Sequence, residues 1–279
     1  MTAGSEVAPA VVPLDRRVSP VITVRNTLTL AWRSLVQIKH NPMELLDLSI
    51  QPIMFVMLFA YVFGPAMSGS VERYLPILIP GIIVQNAMFA TMSTGFGLNV
   101  DITKGVFDRL RSLPIARTAP LAGRILADVV KQAWSMAIVL AVGMVMGFRI
   151  GTSPLAIIPA FGLLLAFALL LSWASVFIGL TVGEPEKVQI FGFMIIFPLT
   201  FLSNAFIPLS DRYPHWLYNV MYYNPVSQMV SATRGLLVGH DLAGHGQPVI
   251  GPAVNALLWG LVIAAVFIPL SLRAFKRRV

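Results

Sequence analysis

The sequence has no cysteine and little charge. Without cysteine there is no disulfide framework, no thiolate metal site and no thiol chemistry. Charged residues make up 11% of the chain, against about 25% in soluble domains, too few to cover a soluble core of this size. The four histidines, His40, His215, His240 and His245, are scattered. His240, Asp241 and His245 have no third strong ligand at metal-ligand spacing, so no metal site is expected. No G-x-x-x-x-G-K-[ST] phosphate loop occurs, and ATP is not expected to bind this chain in the usual way. No Ser/His/Asp or paired-carboxylate arrangement reads as an active site. A lipid-modifying membrane enzyme would need acidic or histidine clusters near the interface, and none is present. Mid-membrane Asp, Glu, Lys and Arg are also missing from the predicted spans, which disfavours a proton- or sodium-driven carrier.

What is abundant is apolar. Hydrophobic residues are 57% of 279 and the mean hydropathy is +0.79, which predicts an all-α polytopic membrane protein. Six apolar stretches are long enough to span: about 48–64, 76–97, 125–147, 155–182, 188–207 and 252–272. Pro198 interrupts the fifth. Placing the N-terminus, the loops after spans two and four, and the C-terminus on one side puts 16 Lys/Arg there and four, Arg73, Arg149, Arg212 and Arg234, on the other. The positive-inside rule makes the rich side cytoplasmic, with both termini on it. Net charge +8 is thus a topology signal, and no nucleic-acid partner is expected. Residues 1–20 are Ala/Val/Pro/Ser-rich and expected to be disordered, without the features of a secretory signal. Residues 21–279 form the transmembrane domain.

Four segments carry more than spanning. Over 21–40, Val24, Leu28, Ala31, Trp32, Leu35 and Ile38 share one face, the pattern of an amphipathic helix lying in the membrane interface. It is either a simple anchor or a lever to a cytoplasmic partner. Segment 98–124 clusters Asp101, Lys104, Asp108, Arg109 and Arg111 around Phe107 and Leu110, and Pro114 breaks it. That suits a short docking helix, with a topology-fixing loop as the plainer reading. Glu184, Glu186 and Lys187 form a second cytoplasmic turn, solvated or a further partner contact. Outside, 208–251 is rich in aromatics (Tyr213, Trp216, Tyr218, Tyr222, Tyr223) and splits at Asn224-Pro225. It predicts two short helices on or re-entering the membrane, either an aromatic belt or an outer gate involving Trp216, Asn224, Pro225 and Arg234. Inside the spans, Gln85, Asn86 and Asn204 are the sparse polar groups. They serve interhelical hydrogen bonding or touch a substrate on its path.

Residues 91–128 contain Gly105, Asp108, Arg109, Arg111, Ser112, Leu113 and Pro114 in the pattern GxxDRxRSLP. This resembles the cytoplasmic loop of type-2 ABC exporter permeases, especially the daunorubicin-resistance permease branch. The segments FPLTFLSNAFIP (197–208) and PHWLYNVMYYNPVSQMVSATRGL (214–236) are similar to that family's outer region. The resemblance implies a six-span half-transporter, paired as a homodimer and bound to two copies of a separate ABC ATPase. ATP and Mg would be bound by that partner, and no cofactor by this chain. Lys104, Phe107, Asp108, Arg109, Arg111 and Pro114 would belong to the ATPase-coupling helix, and 208–236 would form re-entrant outer helices. The expected cargo is a small hydrophobic or amphipathic compound, such as an antibiotic, polyketide or lipid, exported across the cell membrane. The alternative is the same fold exporting a polysaccharide or lipid-linked glycan.

Overall fold

A computed structural model describes residues 25–29, 31, 32, 36, 42–106, 119–210, 212–240, 246 and 248–278. Eight named helices follow one another: α1 (Pro42–Ser68), α2 (Val71–Thr103), α3 (Ala119–Val145), α4 (Ile157–Thr181, entered through a 3-10 turn, Pro154–Ala156), α5 (Pro185–Phe201), α6 (His215–Tyr223), α7 (Pro225–Leu237) and α8 (Ile250–Arg278). Residues 25–29, 31, 32 and 36 are also helical, with Trp32 exposed and Ala31 buried. Among the described residues there is no strand, only an isolated bridge between His240 and Gly246.

Five helices are long and apolar enough to cross a membrane: Ser49–Ser68, Val71–Thr103, Gly123–Val145, Pro154–Thr181 and Ile250–Phe275. They coincide with expected spans one to four and six; the first, second and last are longer than expected, and the third and fourth have the expected length. The first two run on past the apolar stretch and hold Pro52, Pro65, Pro76 and Pro80 inside them. The fifth expected span, 188–207, is the 17-residue helix α5 followed by an irregular segment. Seventeen residues rise about 25 Å, slightly short of a hydrocarbon core of about 30 Å.

α2 is the central helix. In its apolar window 78% of residues are buried, against 33% or less in the other four. Its Leu75, Leu78, Ile79, Ile82 and Ile83 join Met136 and Val139 of α3, Leu164 and Phe167 of α4, and Met229 and Val230 of α7 in one core. Contacts along α2 fix the directions of its neighbours. α3 runs antiparallel, with Gly143 against Ile79 and Asp128 against Thr94. α5 also runs antiparallel, with Ala205 beyond its end against Gly81 and Gly192 against Met92. α4 runs parallel, pairing Ser175 with Gly95 and Val182 with Asn99. α8 follows α4, with Gly260 against Leu170 and Phe267 against Phe177. The α2–α4 contact is made by glycines: a Cβ on Gly95 would strike the Ser175 backbone, and one on Gly179 the Gly95 backbone. Small residues let membrane helices approach this closely.

Candidate functional site

The break after α5 sets the chemistry of one end of the bundle. Beyond Phe201 the chain leaves the helix, with the Leu202 amide still bonded to the Pro198 carbonyl. Carbonyls freed in a water-poor layer must find donors within the protein. Asn224 supplies two: its Nδ2 donates to the Leu199 carbonyl at 2.7 Å and the Leu202 carbonyl at 2.9 Å. Its Oδ1 accepts from the Val226 amide at 2.8 Å, capping α7, with Pro225 at the first helical position. One side chain thus closes α5 and opens α7.

Ser227, Ser231 and Arg234 share one face of α7, at spacings of four and three. All three hold Asn204. The Asn204 amide donates to Ser227 Oγ at 3.1 Å, and Asn204 Nδ2 to Ser231 Oγ at 2.8 Å. Arg234 Nη2 donates to the Asn204 carbonyl at 3.0 Å and to the Ile77 carbonyl of α2 at 3.1 Å. Arg234 is 7% exposed. Tyr74 of α2 donates to the Phe206 carbonyl at 2.8 Å. Of the expected gate residues, Asn224, Pro225 and Arg234 are therefore interior, while Trp216 on α6 is 66% exposed. The structure does not bring the four together into one rim.

Nor do the three polar residues expected along a path meet. Asn86 donates to Ser135 Oγ on α3 at 2.7 Å, whereas Asn204 faces α7. Gln85 is buried, and its Nε2 has no hydrogen-bond partner among the described residues. Asn86 belongs to a longer seam between α2 and α3. Gln132 donates to the Ala87 carbonyl at 3.4 Å, Thr94 to Asp128 Oδ2 at 2.9 Å, and Arg124 pairs with Asp101. Sequence reasoning placed Asp101 in the cytoplasmic segment 98–124 but not its partner, since pairing depends on helix register.

A second feature that the sequence hid is aromatic. Phe193, Phe197 and Phe201 recur every fourth residue on α5 and stack at 5.0 and 4.3 Å between ring centroids. Phe206 continues the row at 5.2 Å and meets Phe59 of α1 at 4.4 Å. The three α5 rings are exposed on the protein surface, a face suited to flat apolar groups.

At the opposite end, Asn99 Nδ2 donates to the carbonyls of Gly179 and Val182, bringing the ends of α2 and α4 together. Lys104 caps α2 and is exposed, and Gly105 takes a positive φ of 66° as the chain turns away. Phe107, Asp108, Arg109, Arg111 and Pro114 lie outside the described residues. In the second turn Lys187 Nζ pairs with Glu184 Oε1 at 2.9 Å, and Glu186 stands exposed in the first turn of α5. No group of three or more His, Asp or Glu able to hold a metal occurs among the described residues.

Residues 25–238 match the family model described as ABC-2 type transporter. The chain is 35% identical over 268 residues to the daunorubicin resistance ABC transporter permease protein DrrB1 of Streptomyces coeruleorubidus, covering 96% of this chain and 92% of that relative. It is 29% identical over 214 residues to the doxorubicin resistance ABC transporter permease protein DrrB of Mycobacterium tuberculosis, covering 72% and 70%.

Proposed function

The chain belongs to the ABC-2 type transporter family, and on that premise we propose that it is the membrane-embedded half of an ATP-driven exporter of hydrophobic or amphipathic compounds. The observation that carries the reading is the match along nearly the whole chain to a permease named for daunorubicin resistance. The exposed, stacked rings of Phe193, Phe197 and Phe201 support a flat, apolar cargo. Such a face gives a hydrated glycan nothing in exchange for its water.

In this reading α5 completes a sixth pass, since it runs opposite to α2 and α4. Arg124, Lys187, Arg273 and Arg277 then fall at the cytoplasmic end with both termini. Residues 21–40 lie in the inner interface, and α6 and α7 re-enter from outside. Two copies of the chain pair, each seated on one copy of a separate ATPase that binds ATP and Mg. Lys104 to Pro114 dock on that ATPase, and Glu184 to Lys187 form a second contact. ATP-driven closure of the partner shifts the permease between inward- and outward-facing states. Cargo is moved only because its affinity differs between them.

The test is accumulation of doxorubicin in cells that express the chain with its ATPase. Reduced accumulation that requires both chains and ATP is expected. Unchanged accumulation of several such compounds, with export of a polysaccharide by the same pair, would sink the hydrophobic-cargo reading.

A further inference from the structure

The α2–α3 seam is a ladder headed by an ion pair. Its rungs are Asp101–Arg124, Thr94–Asp128, Ala87–Gln132 and Asn86–Ser135. On α2 the first three recur every seven residues, and on α3 the four fall three or four apart, so each set keeps to one face. From Asp101 to Asn86 the rungs cover about 22 Å of helix. Asp101 and Arg124 stand at the two roots of the segment that joins α2 to α3. Gly97 makes the pair feasible, because a Cβ there would collide with the Arg124 guanidinium as it crosses to Asp101. A purely apolar contact tolerates sliding between helices. Directional side-chain bonds set a register, and a charge-assisted pair holds it most firmly.

We propose that Asp101 and Arg124 are positioning residues that clamp the end of α2 to the start of α3, so that the two helices move as one lever during transport. The proposal rests on the transport reading above. A push on the segment is then delivered to both helices instead of being absorbed by bending between them. α2 passes it on: it is the most buried span, and Asn99 ties it to the end of α4 beside the Glu184–Lys187 turn. With side chains 29% and 31% exposed, the pair is partly buried at the rim of the α2–α3 contact, outside the apolar core, so its loss is expected to be felt more in coupling than in folding.

The experiment uses the full permease–ATPase complex in liposomes, measuring ATP hydrolysis and doxorubicin transport together. Asp101→Asn and Arg124→Gln are expected to keep the ATPase bound and hydrolysing while transport per ATP falls about tenfold. The exchange Asp101→Arg with Arg124→Asp recovers most of that ratio. Single variants with the wild-type ratio overturn the clamp. So does an exchange no better than the singles, or a parallel fall of ATPase binding, hydrolysis and transport, the signature of a merely structural pair. A second arm needs no cargo: spin labels at Ser93→Cys and Val130→Cys, both exposed on α2 and α3. Their separation is expected to stay constant between nucleotide-free and ATP-bound complexes, and to vary in Asp101→Asn. A change in the otherwise wild-type complex overturns the proposal. A complex that hydrolyses ATP without moving doxorubicin sinks the cargo reading alone, and the label distances still decide the clamp.

Discussion

The two ends of the bundle are held by different chemistry. At the Arg234 end, Tyr74, Asn224 and Arg234 are buried and donate to backbone carbonyls across three chain segments. At the Lys104 end, the pairs are Asp101–Arg124 and Glu184–Lys187, the latter with side chains 56% and 61% exposed. Irregular backbone buried away from water must be satisfied from within, so the first end is fixed by contacts that are costly to break. The Glu184–Lys187 pair is exposed, and such pairs contribute little to folding and exchange readily. On the transport reading proposed above, the second end is therefore the one at which the ATPase docks and leaves without disturbing the fold.

The largest effect expected tests that contrast directly. Arg109→Glu with Arg111→Glu should abolish copurification with the ATPase, because like charges brought together at an interface cost several kcal/mol, here about 4. Insertion and thermal stability of the permease alone should be unchanged. If they fall instead, these arginines serve topology and the contrast between the ends weakens.

Next come two substitutions at the sealed end. Asn224→Ala removes the α7 cap, about 1 kcal/mol, and leaves two carbonyls unpaired at about 1 kcal/mol each. A loss of about 3 kcal/mol is expected from thermal unfolding in detergent. Arg234→Met also orphans two carbonyls, but it relieves the burial of a cation bonded to neutral groups. The expected loss is smaller, about 2 kcal/mol. An Arg234 variant less stable than the Asn224 variant would show that desolvation offsets less than argued here.

Much of this architecture was legible from hydropathy, and the reason it stops being legible is physical. Apolar runs located all five helices long and apolar enough to cross a membrane, because a membrane demands length and apolarity. They missed the ends, since helices such as α1 and α8 continue beyond the apolar stretch, from Pro42 and to Arg278. The fifth stretch stays apolar to Ile207 while the helix stops at Phe201. Hydropathy does not register that Asn224, twenty-three residues downstream, is there to receive the break. Asn86 and Asn204 stood out as polar residues in apolar surroundings. That Asn86 bonds to Ser135 and Asn204 to Ser231 follows only from helix register. Arg234 carried a visible signal, a lone cation between two apolar stretches, yet charge alone suggested an exposed rim and not a buried staple.

A subtler probe of the sealed end is Tyr74→Phe. It keeps the ring, which is fully buried in the core, and deletes only the hydroxyl that donates to the Phe206 carbonyl. One neutral hydrogen bond is lost and one carbonyl loses a donor, so about 1 kcal/mol is expected. The measurement is the thermal midpoint relative to wild type. An unchanged midpoint would mean that the irregular segment finds another donor, and that this end is less rigid than its neighbour Asn224 makes it.

The smallest effect belongs to the exposed turn. Glu184→Gln and Lys187→Gln each break an ion pair spaced i, i+3 at the start of α5. Water and salt screen that pair, and pairs of this kind contribute about 0.3 kcal/mol. Lys187 also sits within the first turn, where the helix dipole disfavours a cation, while Glu186 in the same turn is favoured. Lys187→Gln should therefore be closer to neutral than Glu184→Gln, and raising salt should erase the difference. Stability is the control and ATPase binding the informative readout. If the turn is a second partner contact, the double variant weakens copurification with the ATPase while its thermal midpoint stays put. A midpoint that drops by more than about 1 kcal/mol equivalent would place the pair among the structural contacts of the opposite end, and the division between a sealed end and an exchangeable one would no longer hold.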